Sequence, residues 1–187
     1  MGPTPAEVID RLTAAPGRRG GRRAGNPYRV QPPRPHRLAP DVAALLAGLA
    51  RRLATATPDD RRQAVAGILA CPHPRAVGAA VDAVVDALRR SGPGTTCAGL
   101  AAALVGFGPA AVPSVRLALV KARVGWQQAA LAGVLGQSGP DLPPRDRADL
   151  TYDLMRVMLS TTDEAAAAAA GRALAAIRAA PARAPDA

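Results

Sequence analysis

The sequence predicts an all-α protein: a right-handed solenoid of about four antiparallel helix pairs over residues 41–179, preceded by an arm with no core of its own. Three observations lead there. Among 187 residues there are 45 Ala, 19 Leu and 15 Val but only 3 Ile, and Ala has the best intrinsic helix propensity. The aromatic residues are Tyr28, Phe107, Trp126 and Tyr152 alone, a poverty that argues against a β-sandwich or barrel. From Asp41 onward apolar residues recur at helical spacing, and turn signals interrupt them at short intervals.

Residues 1–40 hold 8 Pro and 5 Gly. Within them Thr4-Pro5-Ala6-Glu7 reads as a helix start, and Val8, Ile9 and Leu12 form one apolar stripe. This predicts a short amphipathic helix near 4–14, which is too short to be stable alone in water. The stretch that follows contains Arg18-Arg19-Gly20-Gly21-Arg22-Arg23 and Gln31-Pro32-Pro33-Arg34-Pro35. Such a composition buries no core and predicts a disordered or extended arm.

Eight helices follow, over 41–56, 58–70, 74–90, 95–107, 109–122, 125–137, 144–159 and 162–179. Thr57-Pro58-Asp59-Asp60 and Thr161-Thr162-Asp163-Glu164 resemble capping boxes. Pro74 and Pro109 suit first-turn positions, and Gly92, Gly108 and Gly139 suit C-terminal caps. Pro181 and Pro185 predict a frayed tail over 180–187.

The helices repeat. Laying Thr96–Gly108 over Gln127–Gly139 brings Leu100 to Leu131, Leu104 to Leu135 and Gly108 to Gly139. Val65 and Leu69 fall in the same register upstream, and Ala170 and Leu174 downstream. Leu69, Leu104, Leu135 and Leu174 are therefore expected to anchor the second helices of successive pairs. A single pair of this length cannot bury its apolar face, and stacking completes the core. The helix over 162–179 is nearly all Ala outside Leu174 and Ile177, so it is expected to be the less securely packed end.

At one junction the pattern becomes specific. Phe107-Gly108-Pro109-Ala110-Ala111-Val112-Pro113-Ser114-Val115 resembles the HEAT-repeat junction, where a helix ends in Gly and Ala-Val-Pro opens the next. Gln128-Ala129-Ala130-Leu131-Ala132-Gly133-Val134-Leu135-Gly136 is similar to that family's second helix. Asp59-Asp60-Arg61-Arg62 matches the family's Asp-before-Arg start of a second helix, whereas Thr96-Cys97 and Gln127-Gln128 depart from it. The resemblance implies an α-solenoid, and a scaffold or adaptor that binds another protein. It also allows a substrate-holding role like that of the HEAT-repeat bilin lyases.

The formal net charge is +10, and residues 1–40, with 8 Arg and 2 acids, carry +6 of it. Arg18, Arg19, Arg22 and Arg23 are candidate phosphate contacts, giving salt-sensitive association with nucleic acid. Stacking aromatics are nearly absent beside them. No apolar run is long enough for a membrane span, and the N-terminus lacks a signal-peptide pattern, so a cytoplasmic protein is expected.

Catalytic chemistry finds little support. Cys71 and His73 flank Pro72 in a turn, and the other candidate metal ligands are Cys97 and His36, the latter in the arm. No nucleophile elbow or phosphate loop occurs. Asp82 and Asp86 share a helix face, which Arg89 and Arg90 complete as a solvated surface. No cofactor, metal site or enzymatic activity is expected. The expected function is protein binding through the surface formed by the second helices, marked by Arg61, Arg62, Gln63, Gln127, Gln128 and Arg172. Trp126 lies at its edge, either as an anchor for a partner or as a staple between repeats.

Overall fold

The computed structural model describes residues 40–180. The expected 4–14 helix, the rest of the arm up to residue 39, and residues 181–187 lie outside the described residues. Those described are helical throughout, with no strand. Eight α-helices run α1 (Pro40–Thr55), α2 (Pro58–Leu69), α3 (Pro74–Arg90), α4 (Thr95–Gly106), α5 (Val112–Lys121), α6 (Gly125–Ser138), α7 (Pro144–Ser160) and α8 (Glu164–Ala179). Short 3₁₀ turns at Gly108–Ala111 and Gly139–Asp141 lead into α5 and follow α6. The expected helix over 109–122 is thus a 3₁₀ turn followed by α5.

The helix ends follow local chemistry. Thr57 caps α2 by accepting the Asp60 N–H at 3.2 Å. Asp163 caps α8, accepting the Ala166 N–H at 2.8 Å. Gly108 takes a left-handed φ of 56°, the conformation for which glycine is suited after a helix. Gly139 does not: its φ is −67°. It is needed for space, since a Cβ there would lie 2.8 Å from the Ile177 side chain and 2.9 Å from Leu150.

One continuous core runs from Val42 in α1 to Ile177 in α8. Phe107, Ala111, Val112 and Val115, all at the junction that resembles HEAT repeats, are buried in it. The most extensive helix contact is α6 with α8, followed by α7 with α8. The pairs α3–α4 and α5–α6 pack on each other, and α4 packs on α6. Contacts of α3 with α5 and of α5 with α7 are lighter. No extensive contact joins α1 to α8.

Three expectations fail against this packing. First, α1 does not pair with α2 but packs across α3 and α4. Its buried stripe of Val42, Leu46, Leu49, Ala50 and Leu53 needs a large apolar surface. The α3–α4 pair offers Val81, Val84, Val85, Leu88, Leu100 and Leu104, whereas α2 offers only Val65 and Ile68. The crossing is close enough that a Cβ on Gly99 would lie 2.0 Å from the Ala54 carbonyl oxygen. Second, Leu104, Leu135 and Leu174 are buried, but Leu69 is 40% exposed and Ile68 takes the core position in α2. Third, α8 is among the best packed helices. Ala166, Ala169, Ala170 and Ala173 are buried beside Leu174 and Ile177, because small side chains let α8 approach α6 closely.

Candidate protein-binding surface on the second helices

The residues expected to mark a binding surface fall into two groups. Arg61, Gln127, Gln128 and Trp126 are engaged within the fold, while Arg62, Gln63 and Arg172 are exposed. The division has a physical cause. The last carbonyls of a helix have no intrahelical donor and need one from elsewhere. Arg61 donates from Nε to the Leu53 carbonyl at 2.9 Å and from Nη2 to the Ala56 carbonyl at 2.8 Å, closing the end of α1. Gln128, like Arg61 the fourth residue of its helix, donates to the Ala122 carbonyl at 3.1 Å and closes α5.

These ties also cross between helix pairs. Gln127 donates to the Arg89 carbonyl at the end of α3, at 2.7 Å. The Gln128 Oε1 accepts from the Thr161 hydroxyl at 2.8 Å. Thr161 in turn accepts the Asp163 N–H at 3.2 Å. Gly125 lies so close to this loop that a Cβ would sit 2.0 Å from Asp163 Oδ2. At the start of α6, where the Asp-Arg pattern is missing, glutamine serves as the donor. Trp126 is half-buried and packs against the core, as do Ala129 and Ala130.

A shallow cleft of about 190 Å³ lies between α2 and α4, lined by Pro58, Arg61, Arg62, Val65, Ala102 and Gly106. Four of these are small or apolar residues, and two are arginines, of which Arg61 is committed to the end of α1. Arg62 is exposed and pairs with Asp59 one turn earlier, a pair that contributes little in water. The neighbouring outward positions of α2 and α4 are mostly small: Ala66, Gly67, Ala98 and Ala102 are exposed.

The remaining chemistry-bearing residues are dispersed. Asp82 accepts from the Ser114 hydroxyl at 2.6 Å, tying α3 to α5, so it is not part of a purely solvated face. Asp86 and His73 are exposed, and Cys71 is half-buried in its turn. Burial pushes the Cys97 thiol above its ordinary pKa, with the Ser91 hydroxyl opposing. Among the described residues no three His, Cys, Asp or Glu side chains group as a metal site would require. His36 and the arm arginines Arg18, Arg19, Arg22 and Arg23 lie outside the described residues.

One feature that the sequence reading missed lies between α5 and α7. Arg116 on α5 places Nε and Nη2 at 2.8 and 2.7 Å from Asp153 Oδ2 on α7. The pair is partly buried, so it is less screened than a surface ion pair. The long-range partner has no local signal, because it depends on how α5 and α7 lie side by side.

No single helix among the described residues is long and apolar enough to cross a membrane. The pair Thr95–Gly106 and Gly108–Lys121 reaches the length and composition only across a 116° bend, and its Leu100, Leu104, Val112 and Val115 are buried in the core. Comparison of the chain with protein-family models, curated proteins and solved structures finds no match.

Proposed function

We propose that this chain is a HEAT-like helical-repeat adaptor of the cytoplasm that performs no catalytic step and holds a segment of another protein against its second helices. In this reading α3–α4, α5–α6 and α7–α8 are three pairs of a right-handed stack. The helices α1 and α2 form its N-terminal cap. The pairwise order of contacts and the glutamine and arginine ties at the ends of the first helices support the stack.

The observation that carries the binding reading is the cleft between α2 and α4. Its volume of about 190 Å³ is below the roughly 300–1,000 Å³ of pockets that enclose small molecules. It suits one side chain of a longer segment. Arg62, exposed at the edge of the cleft, favours a carboxylate or amide on that segment. The small outward residues of α2 and α4 let a partner backbone lie close.

The test is capture by the full chain, by Ala102→Trp, which fills the cleft, and by Arg62→Glu, at low and moderate salt. A protein held at both salts and lost with both substitutions supports the adaptor. Recovery of nucleic acid alone, abolished by deleting residues 1–40, assigns the function to Arg18, Arg19, Arg22 and Arg23 instead. Partners that survive both substitutions would move the binding surface away from the cleft.

A further inference from the structure

We infer that the outward face of α5 and α7 is a self-association surface, on which two copies of this chain pair about a two-fold axis with their α7 helices antiparallel. The outward character of the first helices changes along the chain. On α3 the exposed residues include Arg75, Asp82, Asp86, Arg89 and Arg90. On α5 and α7 large apolar side chains stand exposed among the charged ones: Leu117 at 56%, Tyr152 at 69% and Leu159 at 76% exposure, with Val120 and Met155 beside them. Single exposed apolar residues are ordinary, but clustered rows mark an interaction surface. Leu117 and Val120 stand three apart on α5. Tyr152, Met155 and Leu159 follow the i, i+3, i+7 spacing of one face of α7. The two helices are held side by side by Arg116 and Asp153.

The charges on α7 identify the occupant. Asp149 and Arg156 are both exposed and lie three residues before and four residues after Tyr152, on its side of the helix. They are about 10.5 Å apart along the axis, at 1.5 Å per residue, too far to pair with each other. Neither has a hydrogen-bond or ion-pair partner among the described residues. The acid and the base are placed symmetrically about the point between Tyr152 and Asp153. A two-fold axis through that point sets Asp149 of each copy opposite Arg156 of the other, so one geometry makes two ion pairs around a centre formed by Tyr152 and Met155 of both copies. A parallel pairing sets Asp149 against Asp149 and is repelled. The helix dipole alone favours an acid early and a base late, but it gives no reason for the exposed Tyr152 and Met155 between them, or for Leu159 one turn beyond Arg156. A self-complementary patch of this kind is what an isologous dimer requires.

Pairing through the first helices leaves the second helices of both copies outward. The inference goes beyond the adaptor reading and stands without it. Should both hold, each dimer presents two binding faces and gains avidity for a repeated ligand.

Sedimentation equilibrium of the full chain tests the proposal, with circular dichroism to verify that each variant keeps its helix content. The wild-type chain is expected to dimerise. Asp149→Arg sets two arginines against each other, and Arg156→Asp sets two aspartates. Each is expected to weaken the dimer about tenfold or more, about 1.4 kcal/mol per factor of ten. The double variant D149R/R156D restores both pairs and the dimer. An equimolar mixture of the two single variants is expected to form a mixed dimer that neither forms alone. A monomeric wild-type chain, single variants that associate like wild type, or a double variant no better than the singles would overturn the proposal.

Discussion

The helices α2 and α8 both start well and are anchored very differently. Thr57 caps α2, Pro58 opens it, and Asp59 and Asp60 sit in its first turn. Asp163 caps α8, with Glu164 in its first turn. Yet α2 buries only Val65 and Ile68, while α8 buries Ala166, Ala169, Ala170, Ala173, Leu174 and Ile177. The helix built almost wholly of alanine is the one with the greatest contact to a neighbour. Its small side chains let two backbones meet: a Cβ on Gly136 would lie 2.9 Å from the Ala173 Cα. Many short contacts between close backbones together outweigh a few large side chains on a thinly covered helix, since dispersion is collected contact by contact.

Truncation should separate the two ends most sharply. Leu135, fully buried on α6 where α8 packs, is expected to cost about 2–5 kcal/mol when changed to Ala. Leu69→Ala, at the exposed end of α2, should change stability by about 0.5 kcal/mol or less. Urea unfolding of both variants checks the difference, and equal losses would break the comparison.

The closeness of α6 and α8 can be probed by adding atoms. Gly136→Leu should destabilise by about 1–3 kcal/mol or more through overpacking, although leucine is the better helix former. Gly67 on α2 has nothing within 4 Å of a built Cβ. Gly67→Ala is therefore expected to stabilise by about 0.4–1 kcal/mol. Opposite signs in thermal unfolding are the expected result.

A smaller effect is expected from the tie between α5 and α7. Asp153→Asn leaves Arg116 partly buried without its carboxylate, and about 1–2 kcal/mol should be lost. The loss should shrink in Arg116→Met, which removes both the charge and the need for a partner.

Thiol labelling at neutral pH reads the same structure without changing stability. Cys71, half-buried in the turn after α2, should react before Cys97, which is buried in α4. Burial also holds the Cys97 thiol protonated above its ordinary pKa, so its thiolate is scarce and its reaction waits for opening. Cys97 reacting first would contradict the packing of α4.

Much of this fold was legible in the sequence because its signals are local. Thr57, Pro58, Pro74 and Gly108 mark helix ends through their own backbone chemistry, and the periodic Leu and Val residues mark buried faces. Long-range choices were not legible. Leu69 and Ile68 are both apolar, and only the angle at which α2 meets α4 decides which is buried. The preference of α1 for α3 and α4 follows from comparing two surfaces far apart in the chain. Gln127 and Gln128 were read as surface markers, since the carbonyls that they reach belong to the ends of α3 and α5. The alanines of α8 were read as weak packing because propensity says nothing of how near a neighbour can come.

Hydrogen exchange across the full chain, read peptide by peptide, tests the central claim that packing closeness rather than side-chain size secures the ends of this molecule. The account predicts that amides of α8 and α6 exchange together and slowest, near the rate of global unfolding. Those of α2 should exchange much faster, through an opening that leaves the rest intact. Protection of α2 equal to that of α8, or exchange of α8 ahead of α2, would contradict it.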